Sequence, residues 1–96
     1  MYARIVLFTL GSGMRSTAQE IADELIPAIK AQQGCDAAMS LIDDEAGEYG
    51  LVVLWASKED AEVAAKVMGP RLRSALEGVA TEPPTIRLME VYEPAA

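Results

Sequence analysis

The strand-like segments of this 96-residue chain are apolar on both faces. Over residues 2–10 one parity reads Tyr2, Arg4, Val6, Phe8 and Leu10, and the other reads Ala3, Ile5, Leu7 and Thr9. Residues 49–56 repeat the pattern, with Tyr49, Leu51, Val53 and Trp55 alternating against Gly50, Val52, Leu54 and Ala56. Side chains point to opposite faces of a strand in turn, so a sheet with one wet face shows a polar residue at every second position. Neither parity here is polar. Both faces need cover, and only two segments of the chain have helical periodicity.

The first helical segment spans residues 15–32, with Ala18, Ile21, Ala22, Leu25 and Ile29 at the spacing of one helical face. Thr17 and Glu20 have capping-box spacing, Pro27 predicts a kink, and Gly34 is the natural stop. A second begins at Ser57, with Ser57 and Asp60 at capping-box spacing and Ala61, Ala64, Ala65 and Met68 as its buried stripe. Gly69-Pro70 is expected to interrupt it, after which residues 71–79 continue with Leu72, Ala75 and Leu76 inward. Strands are expected over 2–10, 36–43, 49–56 and 85–92, the middle two joined by the acidic turn 44–48 as a hairpin.

The order strand, helix, strand, strand, helix, strand is the split βαβ pattern of an α+β ferredoxin-like fold, one domain over residues 1–96. Right-handed crossovers place both helices on one face of a four-stranded antiparallel sheet and leave the other face bare. About ten side chains exposing roughly 60 Å² each make a patch of about 600 Å², at the upper limit for a soluble monomer. Covering it is worth on the order of 15 kcal/mol gross at about 25 cal/mol per Å², before association costs. A second copy of the same sheet, packed about a twofold axis, is the cheapest cover, so the expected partner is a homodimer mate. The periodicity leaves open which parity faces the helices.

Composition narrows function by exclusion. A net charge of −7 argues against nucleic acid and against an anionic membrane surface. The single cysteine, Cys35, rules out an intrachain disulfide and fits a reducing compartment. The first apolar run carries Arg4 and is too short to span a membrane, and no signal-peptide pattern precedes it. The expected location is cytoplasmic. The chain has no histidine and no asparagine, so the commonest general base and metal ligand is missing and no metal site is expected.

Three stretches carry a family resemblance: residues 2–6 (Tyr-Ala-Arg-Ile-Val), residues 27–35 (Pro-Ala-Ile-Lys-Ala-Gln-Gln-Gly-Cys) and residues 54–61 (Leu-Trp-Ala-Ser-Lys-Glu-Asp-Ala). In this order the chain resembles, over nearly its whole length, the antibiotic biosynthesis monooxygenase-like domains of the dimeric α+β barrel superfamily. The resemblance implies two ferredoxin-like sheets packed into one barrel, with a small apolar cavity between sheet and helices for an aromatic ligand. It also implies, for some members, oxidation of that ligand by molecular oxygen with no metal or flavin cofactor. An electron-rich substrate, once deprotonated, donates the electron itself, and the protein supplies orientation, a hydrogen bond and a dry cavity. The anthrone-oxidising members are associated with an Asn and a Trp, and the haem-degrading members with Asn, Trp and His. Of these residue types only Trp55 is present, which speaks against haem degradation and leaves the anthrone-type reading without its amide.

The candidate catalytic residues are Trp55 and Glu90. Trp55, the only tryptophan, ends a strand near the expected cavity mouth, where tryptophans more often serve as packing. Glu90 and Arg4 are charges within otherwise apolar strands that should be neighbours, and each needs a partner. They form either a structural ion pair or a general base and an anion anchor. Arg87 could anchor in the same way, and Tyr2 and Tyr49 could offer phenols to a ligand carbonyl. The acidic turn lacks EF-hand spacing, and Gly11-Ser12-Gly13 lacks the lysine of a phosphate loop. Two functions fit: a cofactor-free oxygenase of an aromatic substrate, or a non-catalytic dimeric ligand-binding or stress-related module.

Overall fold

A computed structural model describes residues 1–95 of the chain. Its elements are β1 (Tyr2–Thr9), α1 (Arg15–Lys30), β2 (Cys35–Asp43), β3 (Glu48–Trp55), α2 (Lys58–Leu76) and β4 (Thr85–Glu90). The strands form one antiparallel sheet in the order β2-β3-β1-β4. This is the ferredoxin-like arrangement expected from the alternation of elements, with β1 and β4 adjacent.

Register settles which parity faces the helices. β1 pairs with β3 as Tyr2 to Trp55, Arg4 to Val53, Val6 to Leu51 and Phe8 to Tyr49, so these eight side chains share a face. Val6, Phe8, Tyr49, Leu51, Val53 and Trp55 are buried there with Ile21, Leu25 and Ile29 of α1 and Ala64, Met68 and Leu72 of α2. The opposite parity, including Ile5, Leu7, Val52 and Leu54, carries no helix. On that face Met39, Leu41 and Met89 are 48%, 40% and 50% exposed, far above what large apolar side chains show in a core.

Both helices depart from expectation at their punctuation. Helix α1 begins at Arg15, with Met14 at the N-cap and no side-chain cap, so Thr17 lies inside the first turn instead of opening it. Helix α2 is capped as expected, the Asp60 N–H donating to Ser57 Oγ at 3.1 Å. It then runs unbroken through Gly69 and Pro70 to Leu76. The predicted interruption does not occur because Ala61, Ala64, Met68, Leu72 and Leu76 keep one buried stripe across it. Pro70 and Pro27 both lie on the exposed side, where the carbonyl each leaves unbonded can meet water.

Tyr49 ties one end of the fold together. The Met14 N–H donates to its hydroxyl at 3.1 Å, and the hydroxyl donates to Asp44 Oδ1 at 2.7 Å, with the Gly11 carbonyl 3.1 Å away. Gly47, at φ +74°, brings the β2–β3 turn against Gly11, so close that a Cβ there would lie 2.6 Å from backbone. Burial first, then the bond to Asp44, raises the phenol's pKa above its ordinary value. A raised folded pKa makes this contribution complete below about pH 10 and removes it as pH climbs through the folded value. Tyr49→Phe is therefore expected to lower the melting temperature at neutral pH and to flatten the alkaline loss of stability, as thermal melts across pH will show. Ser57→Ala should cost about 1 kcal/mol in denaturant unfolding, with Ser57→Asp restoring most of it.

Candidate functional site

The helices do not fill the space above the sheet. The inner side of α2 mixes the small residues Ala64, Ala65 and Gly69 with Met68 and Leu72, and the small ones leave space that larger side chains would have closed. A cavity of about 240 Å³ remains between that side, Leu25 and Ile29 of α1, and the sheet. Its floor is Val6, Leu51 and Val53, with Ile86 of β4 at 46% exposure toward the open side. Pockets of this make, apolar walls with a few placed polar groups, are the usual form of a small-molecule site.

Three lining residues carry polar groups: Arg4, Trp55 and Arg73. Arg4 sits in the middle of β1, half-buried, with Nη2 donating to the Ala61 carbonyl at 3.3 Å. Its Nε is buried and has no partner. Burial lowers the pKa of the guanidinium, opposed by the nearby Glu62 carboxylate, and an arginine so placed remains charged. Trp55 is 2% exposed, and its Nε1 is likewise buried without a partner. Trp55 stands opposite Tyr2 and Arg4 opposite Val53, so the two donors occupy diagonal positions on one face of the β1–β3 pair. Buried N–H groups are almost always bonded, and Arg4 Nε and Trp55 Nε1 find no partner among the described residues.

The other residues singled out by sequence lie elsewhere. Glu90 is exposed at the end of β4, opposite Tyr2, and does not line the cavity. The carboxylate acting on Arg4 is Glu62 of α2, not the cross-strand Glu90. Tyr2 is half-buried next to the site without lining it, and the Tyr49 hydroxyl is engaged by Met14, Gly11 and Asp44. Arg87 pairs with Ile5 and so projects from the helix-free face, away from the cavity. Arg73 and Gly69 were not anticipated. Their one signal was the four-residue spacing that stacks Arg73 over a glycine on a helix face, and Arg73 Nη1 lies 3.8 Å from where a Cβ on Gly69 would stand. Among the described residues no group of Cys, Asp and Glu is arranged to hold a metal ion, and no helix is long and apolar enough to cross a membrane.

No family model matches the chain, and no curated protein matches it. Solved structures do. Two described as "putative antibiotic biosynthesis monooxygenase" are similar over the full domain. The one from Nitrosomonas europaea has a TM-score of 0.81 at 15% identity, covering 97% of this chain and 100% of that one. The one from Deinococcus radiodurans has a TM-score of 0.82 at 14% identity, covering 100% and 97%. A mutant of SnoaB, a cofactor-independent oxygenase from Streptomyces nogalater, has a TM-score of 0.78 at 15% identity, covering 97% and 94%. With its strand order, its paired helices and the cavity beneath them, the chain has the fold of the antibiotic biosynthesis monooxygenase-like proteins.

Proposed function

We propose that this chain forms a homodimer through its helix-free sheet face, and that it takes a small aromatic ligand beneath its helices and oxidises it as a cofactor-independent oxygenase. The observation that carries the reading is the apolar cavity with the partnerless N–H groups of Arg4 and Trp55 at its wall. The likeness in fold to an oxygenase that needs no cofactor supports it. A ligand carbonyl or phenol oxygen accepting from the Trp55 indole and the Arg4 guanidinium gains charge as the adjacent carbon or hydroxyl gives its proton to water at the open side of the cavity, and both donors stabilise that charge. The resulting anion passes one electron to molecular oxygen, and the two radicals combine into a peroxide. For a ring methylene, loss of water from that peroxide leaves a carbonyl, with one oxygen atom in the product and the other in the water. The apolar walls keep bulk water from the intermediates.

One observation favours the second reading, a non-catalytic ligand-binding module. Among the described residues no carboxylate, phenol or imidazole lines the cavity, so no side chain there is available to take the proton. The exposure of Met39, Leu41 and Met89 supports the dimer, which would cover an apolar face otherwise left in water.

Oxygen uptake with a panel of one- and two-ring quinols, with anthrone as the three-ring case, decides between the readings. Uptake that survives metal chelation and falls on the order of a hundredfold in Trp55→Phe is the expected result. Binding without uptake assigns the second reading, and neither binding nor uptake overturns both. Sedimentation at micromolar concentration is expected to show a dimer, and Leu41→Glu combined with Met89→Glu a folded monomer. A wild-type monomer would refute the interface.

A further inference from the structure

Resting on the reading of the cavity as a ligand site, we infer that it selects an organic anion: a one- or two-ring apolar body with a carboxylate or phenolate oxygen held at the wall that Arg4 and Trp55 line. The polarity of the lining is one-sided. Every polar side-chain group on it is a hydrogen-bond donor, namely the guanidinium groups of Arg4 and Arg73 and the indole N–H of Trp55. A ligand ammonium entering this space finds no side-chain acceptor and loses its hydration without return, and a neutral hydroxyl can accept from these donors but leaves its own O–H unpaired. An oxyanion finds two buried N–H groups that have no other partner.

Charge acts in the same direction. The chain holds eight lysines and arginines against fifteen aspartates and glutamates, yet the two charged residues on this cavity are both arginines. Arg4 has only its Nη2 engaged, and by a neutral carbonyl, so the Nε edge of its fork is free for a charge-assisted bond. Arg73 is exposed, and from the open side it adds a second positive charge. The cavity wall thus carries positive charge on an acidic molecule, tempered at Arg4 by the nearby Glu62 carboxylate.

Size bounds the body of the ligand. A volume of about 240 Å³ lies below the roughly 300–1,000 Å³ of sites that hold drug-sized molecules. One or two rings fit such a space, and the methyl and isopropyl groups of Ala64, Val6 and Val53 give them apolar contact.

Calorimetric titration of the purified protein with four naphthalenes of matched shape tests the inference: 2-naphthoate, 2-naphthol, 2-naphthylmethanol and 2-naphthylmethylammonium. 2-Naphthoate is expected to bind at least about tenfold more tightly than the neutral alcohol, and the ammonium to bind most weakly. Capture of 2-naphthol as its phenolate, read by the red-shifted absorption band at neutral pH, identifies the phenolate source. Preference for naphthoate without that band identifies the carboxylate source. Arg4→Met should remove at least about tenfold of the naphthoate affinity while leaving the alcohol within about threefold. Should that variant not fold, Arg4→Lys, which keeps the charge, is expected to retain the preference for naphthoate at reduced affinity, and Trp55→Phe to weaken both anions. Equal binding of the alcohol and the naphthoate overturns the anion inference and leaves the cavity as a ligand site. Failure of all four compounds to bind overturns the ligand site itself.

Discussion

The pairing of β1 with β3 is the constraint on which the rest of the structure depends. Once Val6 is opposite Leu51 and Phe8 opposite Tyr49, every second residue of both strands is committed to the helices. A slip of one residue would exchange the two faces and carry Arg4 and Trp55 away from the cavity. The same register sends Ile5, Leu7, Val52 and Leu54 to the face without helices. Core, cavity and exposed apolar face are therefore three consequences of one ladder.

Around that ladder the protein is stiff at one end and open at the other. Tyr49 joins the β1–α1 loop to the β2–β3 turn through its hydroxyl, which holds α1 at a set height above the sheet. Toward β4 the cover thins. The small residues of α2 and the exposed Ile86 leave space there that a larger side chain could have closed. A cavity lined this way forgoes packing contacts, and the partnerless donors of Arg4 and Trp55 forgo hydrogen bonds as well. Those costs fall on one place, which supports the proposal of a ligand site there.

Much of the fold was legible in the residues. The two-sided strands, the Ser57 cap and the Ala18, Ile21, Leu25, Ile29 stripe all behave as their spacing dictates. Local punctuation misled at Gly69-Pro70 and at Thr17, because tertiary burial of a continuous stripe outweighs the loss of one backbone bond on the wet side. The site was partly legible. Arg4 and Trp55 stand out by type, an arginine within an apolar strand and the one tryptophan, and both line the cavity. Arg87 and Glu90 stood out for the same reason and do not line it, since residue type says nothing about face or reach.

The sequence by itself determined the element order, the apolar character of both sheet faces and the absence of histidine and asparagine. These follow from composition and from a two-residue period, which are properties of the chain alone. Only the tertiary structure decided that the even-numbered residues of β1 and the odd-numbered residues of β3 face the helices. It alone brought Arg73 and Gly69 to the cavity and left the Nε of Arg4 and the Nε1 of Trp55 without partners. The reason is physical: register and helix placement are fixed by contacts between residues tens of positions apart, and whether a donor finds a partner depends on those contacts, not on its neighbours in sequence.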